Sequence, residues 1–368
     1  MQDRVGIGII GCGNISPAYL RAASSFPVLD IRALADADPA AAEARGAAFG
    51  VKATSVEALL ADPAIEIVLN LTVPGAHVPV GLRALAAGKH VYSEKPLGVT
   101  VAEARRLLDA AAAAGLRVGC APDTFLGGAH QTCRALVDAG ALGRPVGGTA
   151  FFMCPGHERW HPAPAFYYLD GGGPMLDMGP YYITALVNLL GPVAQVAGMA
   201  TRLRATRTIT SAPQRGTVIP VEVATHVAGT LHFAEGAVVS VAMSFDVPKH
   251  RHLPLELYGT EGALIVPDPN IFGGRIERAA PGGEWEEVAI AHPWADANYR
   301  SLGLADMAQA LRDGRPHRAA GALACHVLEV MEAFGRSAAE GRFIAIESRP
   351  PRPAPLRADG PFRPAARA

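Results

Sequence analysis

The chain has 368 residues, half of them hydrophobic and 18% charged, with a formal net charge of −1. At roughly 100–200 residues per domain, that length fits two domains, each with a filled core. The balanced charge lacks the basic excess that a nucleic-acid or anionic-membrane partner calls for, and no apolar run reaches the ~18 residues of a membrane span.

The apolar run Val5–Ile10 predicts a first strand, closed by Gly11-Cys12-Gly13-Asn14-Ile15-Ser16 and followed by a helix over Ala18–Phe26. A second strand, Leu29–Ala35, ends at Asp36, and an alanine-rich helix covers Ala40–Phe49. Thr54-Ser55-Val56-Glu57 marks another helix start. Ile65–Leu71 is a third buried strand, closing at Thr72-Val73-Pro74, and His77–Ala87 is helical with Gly88 fitting its C-cap. His90–Tyr92 is a short strand that runs into Ser93-Glu94-Lys95-Pro96, then come a helix over Val101–Ala114 and a strand over Leu116–Cys120. Strands alternating with helices imply βαβ units and a parallel sheet.

After a helix over Ala129–Ala139 the pattern changes. Val146–Met153, Val193–Arg204, Val221–Phe233, Ala237–Phe245 and Leu255–Tyr258 favour β-branched residues or alternation and are separated by Gly and Pro turns. Helices over Leu302–Arg312 and Leu323–Ala339 close the fold. The fold class is therefore α/β: an N-terminal Rossmann, doubly wound parallel sheet plus a C-terminal α+β domain with a large, mostly antiparallel open sheet. The expected division is 1–124 for NAD(P) binding, 125–347 for substrate binding and oligomerisation, and 348–368 as an extended or disordered Pro/Arg-rich tail. Apolar sheet faces with too little helix to cover them imply pairing between copies, as a homodimer or homotetramer.

Met1-Gln2-Asp3-Arg4 enters the first strand with no charged-then-apolar leader, and the five cysteines form no CxxC pair. An odd, scattered set reads as reduced thiols, so the expected location is the cytoplasm.

Glycine spacing alone is weak in a chain with 40 glycines. Here the loop follows a strand and opens a helix, and Asp36 stands 23 residues beyond Gly13, near the ~20 expected of a ribose-binding acid. Gly11 permits the tight turn, Gly13 lets the backbone approach a pyrophosphate, and a small residue at Ser16 lets helix pack on strand. The helix N-terminus offers free N–H groups to phosphate. Asp36 would bind the ribose diol and repel a 2′-phosphate, which favours NAD over NADP, although Arg32 and Arg45 leave NADP open.

Lys95 is one of only four lysines and sits at the carboxyl end of a parallel strand, where ligands of such sheets bind. Pro96 biases it towards an extended conformation. Taken alone, a Glu–Lys pair at a strand end is an ordinary solvated pair. In Gly171-Gly172-Gly173-Pro174-Met175-Leu176-Asp177-Met178-Gly179-Pro180-Tyr181-Tyr182, a helix would place Asp177 and Tyr181 on one face and Tyr182 away from it. Pro180 is awkward inside a helix, which is expected to kink or to start near it. Just upstream, His157, Trp160, His161 and Tyr168 concentrate rings and polar tips, the wall that sugars suit. His157 and His161 are four apart, but Pro162 and Pro164 stop a helix and no third ligand is placed, so no metal is expected. Asp123, after the last Rossmann strand, is read as an acceptor for substrate hydroxyls.

Taken in order, Gly11-x-Gly13-Asn14-Ile15, Thr72-x-Pro74-x-x-x-His77, Glu94-Lys95-Pro96, Gly172-Gly173 with Asp177-x-Gly179, and Tyr258-Gly259-Thr260-Glu261-Gly262 make the chain resemble the Gfo/Idh/MocA oxidoreductases over nearly its whole length. The resemblance implies cofactor contacts at Gly11, Gly13, Asn14, Ile15, Asp36, Thr72, Pro74, His77, Glu94 and Lys95. It also implies that Lys95 touches the reacting hydroxyl and the nicotinamide ribose, with Asp177 as the second polar residue. The family's usual histidine four positions after that aspartate is Tyr181 here, which is similar to the tyrosine variants of dihydrodiol dehydrogenases and some sugar 3-ketoreductases. The expected activity is hydride transfer between NAD(P) and a secondary alcohol of a sugar, polyol or related cyclic alcohol. In that reading Tyr181 takes the hydroxyl proton, and the neighbouring Lys95 favours a charged phenolate. The alternatives are a trans-dihydrodiol dehydrogenase or NADPH-dependent ketoreductase, and a non-catalytic NAD-sensing protein on the same scaffold.

Overall fold

A computed structural model describes residues 4–358. Strands β1 (Val5–Ile10), β2 (Leu29–Ala35), β3 (Lys52–Ala53), β4 (Ile67–Asn70), β5 (His90–Ser93) and β6 (Val118–Cys120) pair in parallel, in the order β3-β2-β1-β4-β5-β6. Every residue of β1 and β4 is buried, as expected of strands covered on both faces. Helices α1 (Ser16–Ala23), α2 (Pro39–Phe49), α3 (Val56–Ala61), α4 (Pro74–Ala86) and α5 (Val101–Ala113) follow the first five strands in turn. The strand order reverses between β1 and β4, which opens a crevice at their carboxyl ends. Two helices start earlier than their apolar periodicity indicates. Ser16 opens α1 by bonding back to the Gly13 carbonyl, and Pro74 occupies the first turn of α4, where a missing N–H costs nothing.

The second half begins with α6 (Gly128–Asp138), β7 (Pro145–Met153), α7 (Pro174–Leu190), β8 (Val193–Thr201), β9 (Thr206–Thr208) and β10 (Val218–Pro220). It continues with β11 (His226–Phe233), β12 (Val238–Ser244), β13 (Leu255–Gly259), β14 (Ala263–Val266), β15 (Ile276–Ala279) and β16 (Glu286–Val288). Helices α8 (Leu302–Asp313) and α9 (Gly321–Glu340) and the short β17 (Ile344–Ala345) complete it. Nine strands form one sheet in the order β16-β15-β14-β13-β7-β12-β11-β8-β17, antiparallel except for the β7–β12 pair. β9 and β10 form a separate hairpin.

Helices α7 and α9 cover one face of the large sheet, and α8 and α9 return to β6 of the Rossmann half. One hydrophobic cluster runs through both halves, and a second, smaller one (Tyr168, Ile209, Ile219, Val221 and Phe245) lies under the β9–β10 hairpin. The described part of the tail is extended but not disordered. Leu356 is buried and its N–H donates to Gln131 Oε1 at 2.7 Å, while Arg134 and Arg318 donate to the carbonyls of Pro353 and Pro355 at 3.0 Å. Residues 359–368 of the expected tail lie outside the described residues. No helix among the described residues is long and apolar enough to cross a membrane.

Candidate active site

The loop after β1 needs a glycine at position 11. Its φ is +106°, and a Cβ there would stand 2.5 Å from the Leu71 carbonyl carbon. Gly13 is exposed and a Cβ on it would meet nothing within 4 Å, so this side of the loop is open to a ligand. Asn14 is exposed beside it, and Ile15 lines the cleft described below. Asp36 accepts from the Cys12 N–H at 2.7 Å and the Asp38 N–H at 3.0 Å, and it lines a separate cleft of about 550 Å³ with Ala37, Thr54 and Ser55. Arg45 donates to the Cys12 and Gly13 carbonyls at 3.2 and 3.4 Å, whereas Arg32 pairs with Asp30. An open glycine loop at a helix N-terminus, with a carboxylate at the end of β2, fits a dinucleotide: Gly11–Ile15 for the pyrophosphate, Asp36 for the ribose.

The main cleft, about 490 Å³, opens where the Rossmann strands end. Thr72, Pro74, His77, Glu94 and Lys95 line it from that half. His77 is buried, and its ring lies between the Pro96 and Thr72 carbonyls at 2.6 and 2.9 Å, so it braces the two loops that carry Thr72 and Lys95. Burial holds its pKa below the ordinary histidine value despite those carbonyls. Glu94 accepts from the Tyr19 hydroxyl and from the Lys95 N–H, both at 2.7 Å, which fixes the backbone that presents Lys95.

Helix α7 supplies the facing wall. It runs unbroken from Pro174 to Leu190, so the expectation that it starts near Pro180 is corrected. Met178 and Tyr182 pack inward on either side of that position, and burial of the whole segment outweighs one missing hydrogen bond. Asp177 and Tyr181 share the cleft face, one helical turn apart, while Tyr182 is buried elsewhere. Lys95 Nζ donates to Asp177 Oδ1 at 3.0 Å and to the Asp177 carbonyl at 2.7 Å, and stands 5.1 Å from the centre of the Tyr181 ring. Burial disfavours the Lys95 ammonium, but Asp177, with Tyr181 and Glu94 beside it, outweighs that and raises the group above the usual lysine range. Burial likewise raises Asp177, but the Lys95 charge and the His157 hydrogen bond win and hold it at about 2. At neutral pH the pair is fully ionised.

His157 completes the group, with Nε2 3.0 Å from Asp177 Oδ2. Burial favours its neutral ring, but the bonds and charge of Asp177, helped by Cys154, push it up to about 9. The Trp160 indole donates to His157 Nδ1 at 3.1 Å, which requires a lone pair there and belongs to the neutral ring. Protonation as pH falls through about 9 therefore displaces the indole, whose side chain is already 61% exposed. Trp160 fluorescence is expected to titrate with a midpoint near 9, and the transition should vanish in His157→Gln. A flat signal between pH 7 and 10 would contradict this coupling.

Three expected substrate contacts are corrected. Asp123 is buried, and its carboxylate accepts from the N–H groups of Ser301 and Gly303 at 3.1 and 2.9 Å, capping α8 instead of facing the cleft. Tyr168 is fully buried with its hydroxyl on Glu158 and on the His157 N–H, because adjacent residues of the 3₁₀ turn face opposite ways, and Tyr167 takes the cleft position. His161 packs edge-on against Trp160, Phe166 and Tyr167 and does not line the cleft. Conversely, Phe152, Asp268, Asn270 and Arg300 line it without any local motif to announce them. No group of three or more metal-ligating side chains occurs among the described residues.

A Rossmann crevice facing a lysine–carboxylate–tyrosine cluster defines a nicotinamide-dependent oxidoreductase. Residues 5–121 match the oxidoreductase family with an NAD-binding Rossmann fold, and residues 130–265 match the GFO/IDH/MocA C-terminal domain. The chain is 31% identical to dTDP-3,4-didehydro-2,6-dideoxy-α-D-glucose 3-reductase of Streptomyces violaceoruber, over 83% of this chain and 85% of that one. It is 29% identical to 1,5-anhydro-D-fructose reductase of Ensifer adhaerens, over 70% of this chain and 74% of that one. A levoglucosan dehydrogenase in complex with NADH and L-sorbose shares the fold, with a TM-score of 0.83 at 21% identity over 94% of this chain and all of that one. The chain belongs to the Gfo/Idh/MocA oxidoreductase family, with NAD as its cofactor.

Proposed function

We propose that the protein is an NAD-dependent dehydrogenase or reductase acting on a secondary alcohol or ketone of a sugar or polyol. The observation that carries this reading is the Lys95–Asp177 pair beside Tyr181, at the carboxyl end of the Rossmann sheet. NAD, when bound, supplies the hydride acceptor in oxidation, and NADH the donor in reduction. Tyr181 Oη takes the substrate hydroxyl proton in oxidation and returns it in reduction. Lys95 hydrogen-bonds the reacting oxygen, and Asp177 holds its ammonium in one place. His157 fixes the second Asp177 oxygen, so the carboxylate cannot rotate away. Phe152, Trp160 and Tyr167 offer rings to the sugar's CH faces and exclude water. The Asp36 carboxylate favours NAD over NADP.

Copies pair, in this reading, through the uncovered face of the nine-stranded sheet, where Met199 is 77% exposed. The test is one preparation, sized by light scattering and assayed at 340 nm with NAD and NADP over a polyol and ketose panel. The expected result is an oligomer that turns over at least one member faster with NAD. Cofactor binding without turnover on the whole panel would favour a regulatory protein, and a monomer mass would remove the pairing.

A further inference from the structure

The cleft holds a cation, Arg300, whose charge the proposed chemistry does not use. Lys95 is neutralised by Asp177, but Arg300 closes no salt bridge among the described residues. Its guanidinium donates to Asn270 Oδ1 at 2.8 Å and faces the Tyr181 hydroxyl. Glu94 bonds Tyr19 and the Lys95 N–H, and Asp268 bonds the Asn270 N–H and Tyr182, and neither forms an ion pair with Arg300. Glu94 and Asp123 attract it from a distance, but no carboxylate among the described residues sits on its fork, and that planar fork matches a carboxylate or phosphoryl group.

Two further observations point the same way. Arg300 and Asn270 line both the main cleft and a neighbouring cavity of about 300 Å³, so they stand at the neck between the two. The next residue, Ser301, holds φ at 132°, a conformation side-chain-bearing residues rarely adopt. Asp123 and the Tyr19 carbonyl pin it there at 3.1 Å each. Backbone strain fixed this firmly concentrates at ligand sites.

We propose that the substrate is an acidic sugar or polyol derivative, whose anionic group docks on Arg300 beside Asn270 at this neck. The proposal rests on the hydride-transfer reading and adds the substrate's charge to it. The shared chemistry is an oxyanion, and carboxylates and phosphoryl groups are separated by the choice of substrates.

The experiment measures kcat/KM for matched pairs: gluconate with sorbitol, glucuronate with glucose, and glucose 6-phosphate with glucose. It uses wild type, Arg300→Met and Arg300→Lys. In at least one pair the acidic member should be favoured by about 10²-fold, the worth of a charged hydrogen bond. Arg300→Met should bring that ratio close to one, and Arg300→Lys should keep most of it. Which pair responds identifies carboxylate or phosphoryl. Neutral members used as well as acidic ones would overturn the proposal. So would an Arg300→Met that weakens NADH binding and every substrate alike, since Arg300 would then serve the cofactor. If NADH binds and nothing turns over, the hydride-transfer reading fails. Calorimetry of the NADH-loaded protein with the same acids then decides the Arg300 site, which falls if no acid binds in an Arg300-dependent way.

Discussion

Lys95→Met is expected to lower kcat by ~10²–10⁴-fold while NADH still binds. Methionine keeps most of the unbranched stem, so the loss reports the ammonium and not the packing. In the structure that ammonium makes two bonds to Asp177 and stands over the Tyr181 ring. Without it, the Asp177 carboxylate stays buried with His157 as its remaining partner, and the charge order of the cluster collapses. Tyr181→Phe removes the proton carrier itself and should match the loss, whereas Asp177→Asn keeps the shape and tests the charge alone. Because the groups act as a unit, the double variant Lys95→Met/Tyr181→Phe should be little worse than either single one. Stopped-flow measurement of the first turnover separates chemistry from product release. Near-normal rates in both single variants would remove Lys95 and Tyr181 from the reaction.

The parallel half of the fold was legible because its signals are local. Buried apolar runs such as Val5–Ile10, capping residues such as Ser55, and glycine or proline at loop positions each act within a few residues. The Lys95–Asp177–Tyr181 convergence was legible only by joining two motifs far apart in sequence. The second sheet was read less completely. Strands β14 to β16 are only three or four residues long, too short for alternation to stand out. The parallel β7–β12 pairing is set by the order in which distant segments stack, which no short window contains. Arg300, Asn270 and Asp268 reach the cleft from loops whose only sequence mark is a polar residue in a turn. Asp123 shows the converse error: an acid after a Rossmann strand looked like a ligand contact, yet the first turn of α8 claims it.

A side chain that lines no part of the cleft should carry the largest stability effect. Arg207, on β9, has a side chain only 2% exposed. It donates to Glu158 at 2.8 Å, to Asp246, and to the Pro155 and Phe245 carbonyls at 3.1 and 2.8 Å, and it lies over the Tyr168 ring. Arg207→Met would leave two nearly buried carboxylates facing each other with only Thr225 and Tyr168 as donors. Breaking a buried ion cluster by removing one member costs about 3–5 kcal/mol, so the urea midpoint should fall with little change in slope. Neutralising the abandoned acids as well, in Arg207→Met/Glu158→Gln/Asp246→Asn, should recover at least half of that loss. The same cluster anchors the cleft wall, since Tyr168 accepts from the His157 N–H and the Glu158 carbonyl holds Thr210 and Ser211. Loosening it should therefore raise KM more than it lowers kcat, because the wall carrying His157 and Trp160 moves while Lys95 and Tyr181 stay on their own elements. An unchanged urea midpoint would show that the hairpin does not stabilise the fold, and a fall in kcat with KM intact would show that it does not support the wall.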